Sequence, residues 1–256
     1  FPSPTLFRSD AHAQYPVRYI ETLISEARRT AAASVVVAIT SCGTERFQAA
    51  VATVQNTLLG SGGAPHRRLG KAQYVDSGHH ALFDLQQFTA IGGYDETASH
   101  NEDAEFDIRL VRAGGRIWLT RAVEVVYFPR TTARALYHQY FCYGRGRAAT
   151  LVRHCRFPKL RQLLPALVVP AIAASFLAPW HPLLGVPALL WAFVCLLSGA
   201  GLGSRLGMCT ALFAGIAAMT IHLAWSVGFW WEIIARSRHR HRDAFDPVGA
   251  TSDTVL

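Results

Sequence analysis

The sequence predicts an α/β domain followed by membrane-crossing helices. Two patterns carry that reading. The first is the β-branched run Ser34-Val35-Val36-Val37-Ala38-Ile39, which closes a strand–loop–helix–strand unit begun at Thr5. A continuous apolar run of this kind is the pattern of a buried strand in a parallel sheet. The second is an uneven composition. Of the 256 residues 51% are hydrophobic and 16% are charged, yet residues 163–231 are almost free of charge. Residues 1–162 have the mix of an ordinary soluble domain.

Taken in order, residues 5–8 read as a short strand running into Ser9-Asp10-Ala11-His12. Pro16 fits the first turn of a helix with Val17, Ile20, Leu23, Ile24 and Ala27 on one face. Ligands of such sheets sit beyond the carboxyl ends of the strands, where Asp10 and His12 fall. Residues 44–59 read as a helix, 60–65 as a Gly-rich loop, and Gln73-Tyr74-Val75-Asp76 as a strand end. The stretch 82–91 is mixed, a helix spans 102–113, and two strands cover 116–119 and 123–128. Pro129-Arg130 ends that pair. From 131 to 152 an arginine-rich amphipathic helix is expected along the membrane surface, broken or loosened at Gly144 and Gly146.

Three apolar stretches follow. Residues 183–203 and 207–231 are each long enough to span a hydrocarbon core of ~30 Å. Residues 163–178, with Pro165 and Pro170 inside, read as a re-entrant or interfacial element, a third span being the alternative. Trp180, Trp230 and Trp231 stand at segment ends, as in aromatic belts. The basic run 236–242 belongs on the cytoplasmic side, as does the catalytic part if two spans are made. The domain reading is thus 1–130, an interface segment 131–162, a membrane region 163–231 and a basic tail 232–256.

The formal charge of +8 is nearly all arginine. Zinc-finger spacing, a stacking signature and a recognition-helix pattern are all missing, which argues against nucleic acid. The charge suits lipid headgroups and a phosphate-bearing substrate instead. The five cysteines form no CxxC pair, as expected of reduced thiols facing the cytoplasm. The apolar segments hold too few polar groups to build a transport pathway.

The chemistry gathers around the run from Gly92 to Phe106, with five acidic side chains ahead of an amphipathic helix. Asn101 is a candidate N-cap, which puts Glu102 and Asp103 in the first helical turn. Acids are common there because they complement the helix dipole, so position alone does not assign a function. A Mg²⁺ or Mn²⁺ ion held by one or two carboxylates and phosphate oxygens would suit a nucleotide-diphosphate substrate. A separate carboxylate could then deprotonate an attacking hydroxyl.

At these residues the sequence resembles the family 2 glycosyltransferases. The motifs are Gly92-Gly93-Tyr94-Asp95-Glu96, Asn101-Glu102-Asp103-Ala104-Glu105-Phe106, Arg109-Leu110 and Ala113-Gly114-Gly115. The Asp10-Ala11-His12-Ala13 run with Tyr15-Pro16, Asp76-Ser77-Gly78, Pro129-Arg130 and the stretch from Gln139 to Gly146 match as well. The subgroup it looks most like is the membrane-attached, succinoglycan-type enzymes of bacterial exopolysaccharide synthesis. The resemblance implies a GT-A-like (Rossmann-like) mixed sheet with flanking helices. It also implies an inverting, metal-dependent transfer from a nucleotide-sugar to a saccharide or lipid-linked acceptor, at the cytoplasmic face of the bacterial inner membrane.

By that resemblance Asp103 is the catalytic base with Glu102 beside it, and Asp10 holds Mg²⁺ or Mn²⁺ against the diphosphate. His12 stands where many relatives have a second Asp, and a neutral imidazole can still ligate. Asp76, Trp118, Gln139 and Arg145 are candidates for the acceptor or leaving-group side. The segment Gln139 to Arg145 lacks the Trp of the Gln-x-x-Arg-Trp element of processive relatives. Relatives also begin with a base-binding strand–helix region that this sequence does not contain, so the expectation is a piece lacking half of the donor site. The rival expectation is a truncated, non-catalytic membrane partner of other polysaccharide-synthesis proteins.

Overall fold

A computed structural model describes residues 4–67, 70–98, 100–203 and 207–245, with the side chains of 203 and 239–245 left aside. Ser99, Arg68 and most of the basic run and tail therefore lie outside the described side chains.

The order of elements is β1 (Thr5–Phe7), β2 (Ala13–Gln14), α1 (Tyr19–Thr30), β3 (Ser34–Ser41), α2 (Arg46–Gln55) and α3 (Leu58–Ser61). A 3₁₀ turn (Pro65–Arg67), β4 (Gln73–Val75), β5 (Leu82–Asp84), α4 (Leu85–Ala90), α5 (Glu102–Arg112) and β6 (Ile117–Tyr127) complete the soluble domain. The long α6 (Ala133–Arg153) leads to α7 (Leu160–Ala166), α8 (Val168–Ser175), α9 (Val186–Gly203) and α10 (Met208–Phe245).

The sheet runs β1-β5-β3-β6-β2, with β4 also on β6. β3 and β6 are parallel, and β5 lies antiparallel between β1 and β3. β1, β3 and β6 therefore point the same way, and their carboxyl ends share one edge. This is the GT-A-like mixed sheet with flanking helices. β3 is buried on both faces, as its β-branched run requires. Val36 packs with Phe106 and Leu110 of α5, while Val35 and Val37 pack with Tyr19 and Leu23 of α1.

Several expectations need correction. The pair 116–119 and 123–128 is one strand, β6, whose register against β3 shifts between Val37 and Ala38. Thr120 pairs with Val37 and Glu124 with Ala38, so Arg121, Ala122 and Val123 form the bulge; beside it the Thr120 hydroxyl accepts from Ala122 N at 3.1 Å and donates to Glu26 at 2.9 Å. Helix α1 begins at Tyr19, after Arg18 in the left-handed region, so Val17 is 91% exposed rather than on the apolar face. The expected helix over 44–59 is divided into α2 and α3.

Helix α6 is not interrupted at its glycines. Gly144 and Gly228 lie where α6 and α10 touch. A Cβ on Gly144 would meet Trp225 O at 2.0 Å, and one on Gly228 would meet Phe141 O at 2.0 Å. Only the missing Cβ permits so close an approach. The apolar helices also share a core with the soluble domain: Ala50, Val51 and Val54 of α2 pack with Leu136 of α6 and with Ala214, Ala217 and Ile221 of α10. Two stretches, Pro182–Leu202 and Met208–Arg238, are helical, long and apolar enough to cross a membrane. Leu183, Leu189 and Phe193 stand exposed on the first of them, as a lipid-facing surface would.

Candidate active site

The carboxyl ends of β1, β3 and β6 open on a cavity of about 1490 Å³. Its polar end holds Arg8, Asp10, His79, Glu102 and Asp103, with Tyr143 and Arg147 reaching in from α6. Its other end is apolar and runs between the C-terminal helices, past Leu164, Val168, Leu190, Val194 and Ile221. Five cations (Arg8, Arg67, Arg147, Lys159, Arg161) and three carboxylates (Asp10, Glu102, Asp103) line it. The excess of positive charge favours an anionic ligand.

Asp103 enters the cavity because α5 starts there. Asn101 occupies the N-cap position that the sequence suggests, with φ 58° and ψ 30°, but its side chain makes no capping hydrogen bond. Its Nδ2 instead donates to Tyr143 O at 2.9 Å, which ties the helix start to α6. Gly146 allows that contact, since a Cβ there would lie 2.6 Å from His100 O. Asp103 Oδ1 accepts from Ala104 N at 2.7 Å, and Oδ2 meets Nδ1 of His79.

Burial pushes the Asp103 carboxyl up, but the charge and hydrogen bond of His79 and the charge of Arg8 outweigh it. They hold the group well below the usual carboxylate range. Glu102 pairs with Arg8, whose guanidinium also lies 5.0 Å from the Tyr94 ring centre. Two other acids of the stretch have structural partners. Asp95 pairs with Arg153. Glu105 is buried between Arg109 at 2.7 Å and His154 at 3.0 Å.

A second layer stands behind this end. His66 is half-buried, and its ring sits perpendicular to that of His79 with centroids 4.7 Å apart. Burial, then the neighbouring His79, Arg67 and Arg161, push His66 well below the ordinary imidazole range. His80 is likewise pushed down to about 4, chiefly by burial, and its Nδ1 is 2.8 Å from the Tyr15 hydroxyl. Asp107, buried under Gly78 N at 3.0 Å, is raised well above the carboxylate range, again chiefly by burial.

Over 234 residues the chain is 46% identical to the succinoglycan biosynthesis protein ExoA of Rhizobium meliloti (strain 1021), covering 91% of this chain and 70% of ExoA. The chain belongs to the ExoA family. No family model matches it.

In this ExoA-family chain, Asp10, Glu102 and Asp103 line one cavity. Asp10 is exposed, and its Oδ1 accepts from His12 N at 2.9 Å. Its carboxylate fits a divalent ion that takes its other ligands from phosphate oxygens and water. His12 fits less well, because its Nε2 lies 3.0 Å from Arg130 Nη1. Among the described residues no group of three His, Cys, Asp or Glu could hold a metal. Asp76 pairs with Lys159 at the rim. Gln139 sits behind the cavity, donating to the Tyr127 and Tyr143 hydroxyls at 2.8 and 3.0 Å.

Trp118 and Arg145 are not brought to this place. The Trp118 indole donates to Glu26 at 2.7 Å on the far face of the sheet. Arg145 pairs with Glu232 of α10 at 3.0 Å. Sequence reasoning missed His79, His66, Arg8 and Arg147 as parts of the site. For His79 the available signal was its place just after the Asp76-Ser77-Gly78 motif.

Proposed function

We propose that this chain is a family 2-type, inverting glycosyltransferase. It would move a sugar from a nucleotide-diphosphate donor to a lipid-linked saccharide, at the cytoplasmic face of the bacterial inner membrane. The observation that carries this reading is the two-ended cavity. One end gathers acids and cations at the carboxyl edge of the sheet, where such sheets bind ligands. The other end is apolar and lies among the helices suited to a bilayer. Membership of the ExoA family supports the exopolysaccharide context.

In this mechanism an acceptor hydroxyl, activated through Asp103, attacks the anomeric carbon opposite the leaving group. The new C–O bond forms as the bond to the diphosphate breaks, and the electron pair leaves with the diphosphate. Asp10 would hold Mg²⁺ or Mn²⁺, which when bound supplies charge neutralisation for the diphosphate. Arg147 and Arg67 meet the remaining developing charge.

The test is release of nucleoside diphosphate by the full-length protein in lipid nanodiscs. It is run over a panel of nucleotide-sugars with a lipid-linked saccharide extract, with and without Mn²⁺. One donor is expected to give release, and Asp103→Asn to lower kcat by about 10²–10⁴-fold. No release with any donor would refute the reading and favour a non-catalytic partner.

A further inference from the structure

We propose that His79 is the group that takes the acceptor proton, and that Asp103 acts through it. The inference rests on the glycosyl-transfer reading and adds the proton acceptor to it. Three observations on the geometry carry it. Both oxygens of Asp103 are already engaged, Oδ1 by Ala104 N and Oδ2 by His79 Nδ1. The His79 side chain is 42% exposed and that of Asp103 only 17%, so a substrate hydroxyl meets the imidazole first. Behind His79 the half-buried ring of His66 packs edge-to-face against the imidazole, perpendicular at 4.7 Å.

The tautomer follows from the partner. An ionised carboxylate only accepts hydrogen bonds, so the shared proton sits on Nδ1 and Nε2 keeps its lone pair. In the step, Nε2 takes the proton of the acceptor hydroxyl as that oxygen bonds to the anomeric carbon. The imidazolium that results is stabilised by Asp103, and the diphosphate leaves with the electron pair. The titratable and charged groups around His79 are Asp103 on α5, His66 in the 3₁₀ turn and His80 beside it. Arg8 and Arg147 interact with Asp103 through their charges.

The deciding variant is His79→Asn, measured in the full-length protein. Its amide can donate to Asp103 from the place of Nδ1 but offers no base. If His79 takes the proton, kcat drops by about 10²–10⁴-fold with KM for donor and acceptor nearly unchanged. His79→Ala, in the same preparation and with donor binding intact, should regain turnover with added imidazole.

If His79→Asn keeps turnover within a few-fold, or His79→Ala binds donor but imidazole restores nothing, His79 is only a strut and the proposal fails. A wild type that is inert with every donor refutes glycosyl transfer instead, so the two failures are distinct. Independently of turnover, ¹⁵N–¹H spectra of histidine-labelled protein should show the His79 proton on Nδ1. This signal should alter in Asp103→Asn. A proton on Nε2 overturns the proposal.

Discussion

Replacing Gly144 by Ala should force apart α6 and α10, a helix pair that the site depends on. An added Cβ would lie 2.0 Å from Trp225 O and 2.9 Å from Phe229 N, both backbone atoms of α10 that cannot swing aside. Ordinary contact at such a carbon begins near 3.4 Å, so α6 and α10 must separate by more than 1 Å or bend. Overpacking of this kind costs about 1–3 kcal/mol. Against it stands the better helix propensity of Ala, about 1 kcal/mol. With backbone as the obstacle the upper end of that range applies, so the net loss is about 2 kcal/mol, or roughly 4–8 °C in Tm. Gly228→Ala should behave alike, since its Cβ would meet Phe141 O at 2.0 Å. Gly201→Ala on α9 is the control, because among the described residues nothing lies within 4 Å of its Cβ. Thermal unfolding of the purified proteins in one detergent compares the three. If Gly144→Ala and Gly228→Ala melt no lower than wild type, the close backbone contact between α6 and α10 is wrong.

Two further outcomes follow from the charges. Arg147→Gln should slow diphosphate release by about 10²–10³-fold, as loss of a charge-stabilising donor does. It should leave Tm unchanged or raised, because burial already works against this guanidinium; a lower Tm with normal turnover would mean a purely structural arginine. Asp107→Asn should stabilise the protein increasingly as pH rises. The folded pKa of Asp107 lies above its unfolded value, so its contribution is fully present below the unfolded pKa and lost as pH climbs through the folded one. Melting curves from pH 4 to pH 8 that run parallel for the two proteins would refute this.

Much of the fold was legible because its signals are local. The run at Ser34 announces a strand buried on both faces, and α5 and α1 do cover it. The misreadings fall where tertiary contacts decide. The interruption read at Thr120-Arg121-Ala122 belongs to a single strand, bulged at Arg121-Ala122-Val123, because β3 continues alongside it. Pro16 and Val17 look like a helix start until Arg18 takes a left-handed turn. Gly144 looks like a helix breaker when it is in fact the place where another backbone comes close.

The site divides in the same way. Asp10 lies past the end of β1 and Asp103 in the first turn of α5, so strand ends and helix starts reveal both. The partners of these acids come from elsewhere in the chain. His79 is 24 residues from Asp103, and Arg8 is 94 residues from Glu102. No periodicity links them, so only the folded sheet brings them together. The same reasoning explains why Trp118 and Arg145 were poor candidates: each is a residue type suited to a sugar site, but each is already bound, to Glu26 and to Glu232.

Helix α6 joins these observations into one argument. Its sequence suggests a helix lying on a membrane surface, yet its faces have three different partners. Tyr143 and Arg147, four residues apart and so on one face, look into the cavity. Gly144, Ala148 and Leu151 meet α10 and its neighbours. Gly146 and the carbonyl of Tyr143 hold the chain leading into α5, and with it Asp103. A shift of α10 against α6 therefore cannot leave the carboxylate where it is. Gly144→Ala, which is far from any reacting atom, should accordingly reduce turnover more than its loss of Tm at the assay temperature would explain. Were turnover untouched while Tm dropped, the membrane helices would anchor this domain without shaping its site.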